Sequence, residues 1–145
     1  MPTIWTIGYE RLRPEMLAAE LQAAGVERVI DVRERAQSRK PGMSKTRLGQ
    51  MLGEHQIAYE HRRALGTPPE LRHLYRTNKV ERAAAAFREH VEGTAREELD
   101  ALAAELDDGP RTALLCLEEE PRHCHRRVIT DALRDRRPGL EVVDL

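Results

Sequence analysis

Short apolar runs with strand character alternate with helical patterns along this chain, and this alternation limits the folds that it can adopt. The runs cover residues 3–7, 28–32, 57–59, 112–117 and 140–144. The second and fourth are almost continuously apolar, which is typical of strands buried on both faces of a parallel sheet. Strands that alternate with helices form a sheet covered on both sides. We therefore predict one α/β domain over residues 1–145, a Rossmann-like three-layer sandwich with a mostly parallel sheet of about five strands.

Helical patterns fill most of the sequence between the predicted strands. They predict helices over residues 14–24, 44–54, 79–91, 95–106 and 124–136. Pro14 suits a first helical turn, Gly25 is a common helix stop, and Ser44 is a good N-cap residue. Residues 33–43 and 63–78 are predicted to be loops, whose length is typical of lids or binding loops.

Composition disfavours several classes of function. The 24 Lys and Arg residues nearly balance the 25 Asp and Glu residues, so no overall field drives the chain onto nucleic acid or a membrane. Aromatic residues make up only 3%, which disfavours stacking on single-stranded nucleic acid. No apolar stretch approaches the ~20 residues of a membrane span, and the first residues do not resemble a signal peptide. We expect a cytoplasmic protein whose two cysteines are reduced thiols.

Polar and reactive residues follow three of the predicted strands and begin the last predicted helix. They are, in chain order, Gly8, Tyr9, Asp31, Arg33, Glu118, Cys124, His125 and Arg126. In an open α/β sheet, ligands bind outside the carboxyl ends of the strands. These four segments are therefore predicted to meet at one edge of the sheet and to form one site.

The start of the last helix indicates an anion site or a reactive cysteine. Its free N–H groups and dipole attract anions, Arg126 adds a full charge, and the same end favours the thiolate of Cys124. Glu118 would be a general acid or base, and Cys124 or His125 a nucleophile or proton carrier. The alternative is that Cys124 is a small buried residue and the arginines are solvated.

The loop after the second strand indicates a phosphate-bearing ligand. It is rich in basic residues, and with Arg33, Ser38 and Arg39 it would surround an anion, because arginine forks match phosphate oxygens. Asp31 would orient Arg33, bind a ribose hydroxyl or cap the loop backbone. Gly8 permits close approach to a ligand, and the neighbouring tyrosine would stack on it or donate a hydrogen bond. A solvated surface loop is the alternative.

Known motifs narrow the chemistry further. Cys116 and Arg122 have the spacing of cysteine phosphatases, but the three glutamates between them would repel a phosphate. Neither a dinucleotide fingerprint nor a P-loop is present, and we predict no cofactor. Cys116, His123 and Cys124 are of metal-ligating types but lack paired Cys-x2-Cys spacings. We assign no metal ligand, although a Cys2His site completed by a distant residue stays an alternative.

These segments together resemble a bacterial and archaeal family, domain of unknown function 488. The resemblance lies in Thr6-Ile7-Gly8-Tyr9, Asp31-Val32-Arg33, Ser38-Arg39, Leu65-Gly66, Leu115-Cys116-Leu117-Glu118 and Cys124-His125-Arg126. They occur in the family's order and span nearly the whole chain, and the last two are the most specific. The chain departs from the family at Ala36, at Thr67 and at His90. The resemblance implies a single α/β domain and no established activity.

Three hypotheses about function follow from the sequence. The first is an enzyme, a hydrolase or transferase acting on a phosphate-bearing small molecule, a nucleotide or a nucleic-acid-derived substrate. The second is a non-catalytic module that binds a nucleotide or nucleic acid. The third is a metal or thiol-redox protein that uses Cys116 and Cys124. The sequence leaves the oligomeric state open and indicates no membrane partner.

Overall fold

A computed structural model of the protein describes residues 2–145, and it contains one five-stranded, all-parallel sheet. The strands are β1 (Thr3–Gly8), β2 (Arg28–Asp31), β3 (Ala58–His61), β4 (Thr112–Cys116) and β5 (Glu141–Asp144). Their order across the sheet is β3-β2-β4-β1-β5. The predicted α/β class and parallel sheet are confirmed.

Helices cover both faces of this sheet. They are α1 (Pro14–Ala23), α2 (Lys45–Glu54), α3 (Pro69–Arg76), α4 (Val80–Thr94), α5 (Arg96–Glu105) and α6 (Arg126–Arg136). Helices α1 and α2 pack on one face, where Leu17, Leu21 and Leu52 join strand residues in one apolar cluster. The helices α4, α5 and α6 pack on the other face around Phe87 and Leu99. Within residues 2–145, no helix is long and apolar enough to cross a membrane.

The helix predictions are confirmed in number and position for five segments, with shifts at their ends. Helix α1 begins at Pro14, and Gly25 follows it with a φ of 75°, a left-handed conformation that glycine adopts readily. Helix α6 begins two residues later than predicted because Cys124 is extended, with φ −133° and ψ 145°. Ser44 occupies the N-cap position of α2, but its hydroxyl hydrogen-bonds Ser38 instead of the helix.

The prediction of a loop over residues 63–78 is wrong. This segment contains a 3-10 turn, Arg63–Leu65, and helix α3, Pro69–Arg76. Proline in its first turn preorganises α3, but the helix buries none of its residues and contacts mainly α4. Its sequence carries a short apolar stripe, Leu71, Leu74 and Tyr75 at helical spacing, and these residues are only half-buried.

The order of the strands fixes the place of the site. Strands β2, β4 and β1 are adjacent, so their carboxyl ends, at Asp31, Cys116 and Gly8, lie side by side. Gly8 pairs with Cys116, and Asp31 pairs with Leu115. The segments expected to meet at one edge of the sheet therefore do meet there.

Candidate functional site

A cleft lies at the carboxyl ends of β1, β2 and β4, between the loops that follow these strands and helix α3. Its cavity volume is about 150 Å³, which is below the range of sites for drug-sized ligands. Its walls are formed by Tyr9, Arg33, Glu34, Arg35, Gln37, Thr67, Arg72, Tyr75, Arg76, Cys116, Leu117, Glu118, His123, Cys124 and His125.

The loop after β4, residues 117–119, forms one wall of the cleft and lies directly over Gly8. A β-carbon at Gly8 would stand 1.8 Å from the carbonyl oxygen of Glu118, so only glycine allows this approach. Backbone N–H groups of Tyr9 and Glu10 donate to the carbonyls of Cys116 and Leu117 at 3.1 and 2.9 Å. The close approach predicted for a ligand at Gly8 is thus made by the protein's own backbone.

Arg126 binds the same loop through the loop's backbone carbonyl oxygens. Its side chain is fully buried and donates to the carbonyl oxygens of Glu118 at 2.5 Å and Glu119 at 2.9 Å. It also donates to the Sγ of Cys116 at 2.9 Å. Arg126 does not line the cleft, so its role in this structure is to position Glu118 and Cys116.

Asp31 and Arg33 form a buried ion pair behind the cleft. Arg33 donates from Nε and Nη2 to both carboxylate oxygens of Asp31, with Nη2 and Oδ2 2.6 Å apart. It also donates to the hydroxyl of Tyr9 and the carbonyl oxygen of Met43, and Tyr59 donates to Asp31. Of the three roles considered for Asp31, orienting Arg33 and capping the loop backbone are observed, the latter through the Arg33 N–H. Arg33 therefore lies at the cleft wall, and the carboxylate of Asp31 compensates its charge.

Glu118 is the acidic residue that projects from the loop into the cleft. Burial raises the pKa of its carboxyl above the usual value, and the nearby Arg126 opposes that shift only in part. A carboxyl with a raised pKa can carry a proton closer to neutral pH, which is what a general acid requires.

His125 is held in one tautomer beneath the cleft. Its Nε2 lies 2.5 Å from the carbonyl oxygen of Val32; since a carbonyl only accepts, this nitrogen must carry the proton. The ring also packs edge-on against Phe87. Burial lowers the pKa of His125 to about 4, so the imidazole is neutral at physiological pH. Its Nδ1 is therefore unprotonated and lies 3.6 Å from the Sγ of Cys124.

Cys116 and Cys124 are joined by a disulfide bond, so the expectation of two reduced thiols is wrong for this structure. The residues are eight positions apart, but the chain turns back through a 3-10 turn, Pro121–His123, and returns Cys124 to the end of β4. This reversal is a tertiary feature that the cysteine count could not reveal. A carboxylate oxygen of Glu118 and the two sulfurs lie within 4.8 Å of one another, a group of three metal-ligating atom types. With both sulfurs bonded to each other, this group has no thiolate to offer a metal ion.

Three polar groups on the opposite wall of the cleft were missed by the sequence analysis. They are the hydroxyl of Thr67, the Nε of Arg72 and the hydroxyl of Tyr75, all buried and without a hydrogen-bond partner in the described chain. Burial raises the pKa of Tyr75 to about 12, so its hydroxyl keeps its proton. Two sequence signals point to this wall: the unusual length of the segment between β3 and α4, and the helical spacing of Leu71, Leu74 and Tyr75 after Pro69.

The predicted site residues separate into two groups. Tyr9, Arg33, Glu118, Cys124 and His125 line the cleft together. Gly8, Asp31 and Arg126 lie behind its walls and are buried. Ser38 and Arg39 lie outside it, where Ser38 hydrogen-bonds within its own loop and Arg39 is exposed. Arg122, of the phosphatase-like spacing, is also exposed and lies outside the cleft.

Comparison with known proteins identifies one similarity. The model of a family described as domain of unknown function DUF488 matches residues 13–133. That range covers most of the chain and includes α3, the loop after β4 and the Cys124-His125-Arg126 segment. No curated protein and no solved structure matches the chain.

Proposed function

The chain belongs to the DUF488 family, and from the geometry of its cleft we propose that it binds a phosphate-bearing small molecule or nucleotide at the carboxyl edge of the sheet. The ligand's anionic group would sit against helix α3 and the residue that precedes it, facing Arg72, Tyr75 and Thr67. The opposite wall, with Glu118, would face the part of the ligand that reacts.

One observation carries this proposal: three residues that line the cleft have buried donors without an acceptor. The Nε of Arg72 and the hydroxyls of Thr67 and Tyr75 have no hydrogen-bond partner in the described residues. Leaving a buried donor unsatisfied costs about 1–3 kcal/mol. A phosphate offers several acceptor oxygens at once and can satisfy all three donors.

The charge of the cleft supports an anionic ligand. Arg35, Arg72 and Arg76 bring three positive charges to its walls, against two carboxyls, those of Glu34 and Glu118. Arg33 adds no net charge because Asp31 compensates it. A cleft with an excess of one sign concentrates ligands of the opposite sign.

Glu118 favours a hydrolase or transferase over a passive binding module. Its raised pKa suits it to donate a proton to a leaving group, and it faces the proposed anion site from across the cleft. We place this activity in the cytoplasm, as the sequence indicates. Glu118→Gln would then retain ligand and lose turnover.

Substitution of Arg72 tests the proposed anion site. We expect Arg72→Met to weaken the binding of inorganic phosphate and of adenosine monophosphate at least ~10-fold, because it removes a charged donor worth roughly 1.5–3 kcal/mol. Isothermal titration calorimetry measures this directly. In wild-type protein, ligand at 100 times its dissociation constant should stabilise the fold by about 2.7 kcal/mol, which a thermal-shift assay detects.

Arg47→Met is the matched control. Arg47 is an exposed arginine on α2, outside the cleft. The Arg47→Met variant loses the same charge as Arg72→Met but keeps every arginine of the cleft, so its phosphate affinity should equal that of the wild type. Equal affinities of the Arg72 variant and the wild type, or equal losses in both variants, would contradict the proposed site.

A further inference from the structure

The disulfide Cys116–Cys124 lies in the wall of the cleft, and its two sulfurs have different polar neighbours. Cys116 is the last residue of β4, and Cys124 lies two residues before α6. Both residues are nearly fully buried, and both line the cleft. A small molecule that enters the cleft therefore reaches sulfurs that the rest of the fold covers.

Arg126 is a buried cation that has no carboxylate partner within ion-pair distance in the described chain. Its hydrogen bonds go to two carbonyl oxygens and to the Sγ of Cys116, and its Nε has no partner. Burying a charge without an ion-pair partner is costly, and Asp144, Glu118 and Glu120 offset this cost only from beyond ion-pair distance. A thiolate at Cys116, 2.9 Å from the guanidinium, would supply the missing negative charge.

His125 favours the thiol form of the other sulfur, the Sγ of Cys124. Its Nε2 donates to Val32, which leaves Nδ1 as an acceptor 3.6 Å from the Sγ of Cys124. In a reduced pair, the S–H of Cys124 would donate to this nitrogen. The imidazole is neutral, so it stabilises the thiol and offers no positive charge to a thiolate.

The other charged and titratable groups around the pair also favour one thiolate. They come from the loop after β2, from α3 and from the loop after β4, and are Arg33, Glu34, Arg35, Arg72, Tyr75, Arg76, Glu118 and His123. Asp31 compensates Arg33, so three arginines, Arg35, Arg72 and Arg76, stand against the two carboxyls. Nearby positive charge lowers the pKa of a thiol and raises the fraction that is reactive thiolate.

We propose that Cys116 and Cys124 are an exchange-active pair, which cycles between a disulfide and a thiolate–thiol form through reaction with a small dithiol. This is a second activity of the cleft, and it does not depend on the proposed phosphate ligand. Cys116 is the leaving sulfur and the stabilised thiolate, and Cys124 is the sulfur that a partner attacks.

The exchange balances as follows. One thiolate of the dithiol attacks the Sγ of Cys124, forming a mixed disulfide as the Cys116–Cys124 bond breaks and Cys116 leaves as a thiolate. The second thiolate of the dithiol then attacks the dithiol's first sulfur, which is bonded to Cys124 in the mixed disulfide. This attack releases the Sγ of Cys124, which takes up a proton. Two electrons pass to the protein, the dithiol becomes a cyclic disulfide, and one of its two protons is released to solvent. The sulfur with the lower thiol pKa is the better leaving group, which is why the bond to Cys116 breaks.

Single-cysteine variants test the proposed asymmetry. We compare the rates at which iodoacetamide alkylates the remaining cysteine of each variant at pH 7. We expect Cys116, in the Cys124→Ser variant, to react about 10-fold faster than Cys124 does in the Cys116→Ser variant. The pH profile of alkylation should give Cys116 a pKa below the usual value of about 8.5, and Cys124 a pKa at or above it. Equal profiles, or the reverse order, would overturn the assignment.

A conservative substitution of Arg126 tests whether the guanidinium is the cause. In the Cys124→Ser background, Arg126→Lys should move the alkylation profile of Cys116 to higher pH, and the matched exposed variant Arg127→Lys should not move it. A merely structural role for Arg126 would leave the profile unchanged. If Arg126→Lys does not fold, the comparison of the two single-cysteine variants still decides between the outcomes.

The wild-type chain tests the exchange itself. After equilibration in mixtures of dithiothreitol and its oxidised form, thiol trapping should show no thiols or two, in a single two-electron transition, with the far-UV circular dichroism unchanged. Two thiols that persist in fully oxidised dithiothreitol would overturn the proposal. So would one zinc ion per chain that protects both thiols of the reduced protein from alkylation.

Discussion

At the scale of single residues, two buried residues decide the shape of the site without facing the cleft. Gly8 leaves the space into which the Glu118 carbonyl fits, and Arg126 binds that carbonyl from the other side. Together they fix the backbone of the loop that carries Glu118. A motif residue in this protein can therefore be essential because it holds a functional residue in place.

Gly8→Ala should destabilise the fold by about 1–3 kcal/mol or displace the loop after β4, because the added carbon overlaps a backbone oxygen. Chemical denaturation measures the loss. Gly53→Ala is the control: its β-carbon meets nothing within 4 Å, and in helix α2 alanine is favoured by roughly 0.5–1 kcal/mol. A Gly8 variant as stable as the Gly53 variant would contradict the tight contact.

His125 should make the protein sensitive to acid. Its pKa is about 4 in the folded state against 6.5 for an ordinary histidine, so the unfolded chain binds the extra proton between these values. The contribution of His125 is complete above pH 6.5 and is lost as the pH falls to 4, by about 3 kcal/mol in all. Urea denaturation at several pH values should show a shallower dependence for His125→Gln than for wild type. The exposed-site variant His73→Gln should follow wild type, and parallel curves for all three would refute the assignment.

At the scale of elements, α3 differs from the other helices because it is held by few apolar contacts. None of its residues is buried, and Leu71 is the residue that packs against the core at its edge. Elements with little buried apolar surface open most easily. This helix nevertheless carries Arg72, Tyr75 and Arg76 of the proposed anion site, so ligand binding and the ordering of α3 should be linked.

Leu71→Ala should therefore cost less than about 1 kcal/mol of stability and still weaken phosphate binding several-fold. Leu99 belongs to α5 and is fully buried, so Leu99→Ala should lower the free energy of unfolding by about 2–5 kcal/mol. Denaturation gives the stabilities, and phosphate titration of the Leu71 variant gives the affinity. If the Leu71 variant lost as much stability as the Leu99 variant, α3 would belong to the core. If its phosphate affinity were unchanged, the proposed link would be absent.

At the scale of the whole molecule, the two apolar clusters share the strands of one sheet. Ile7 and Leu115 face one cluster, and Ile4 and Leu114 face the other. Because the three central strands β1, β2 and β4 contribute to both clusters, neither cluster can unfold while the other keeps its strands.

Unfolding should accordingly be a single cooperative transition. Trp5, the one tryptophan of the sequence, lies in β1 against the cluster under α1 and α2. Its fluorescence should change at the same denaturant concentration as the far-UV circular dichroism, which reports on all helices. Calorimetry should give a heat-capacity change of roughly 2 kcal/mol/K for 145 residues. Two separate midpoints would mean that the faces unfold independently.

The sequence by itself determined the elements and the edge of the sheet where polar groups gather. Apolar runs such as residues 112–117 and stops such as Gly25 are local signals, since periodicity and backbone preferences act within one segment. The parallel arrangement then placed Tyr9, Arg33, Glu118 and His125 in one cleft. Helix α3 was missed because it is short, and its apolar stripe of Leu71, Leu74 and Tyr75 covers only about two turns.

Only the tertiary structure decided what each polar group does there. Arg33 is compensated by Asp31, and Arg126 is committed to backbone carbonyls, whereas Arg72 and Tyr75 are the groups that face the cleft without partners. The disulfide likewise depends on a chain reversal that brings Cys124 back to Cys116. The physical reason is that hydrogen bonds, ion pairs and disulfides depend on distances between segments. Those distances are set by how the elements pack and not by the residues on either side of each group.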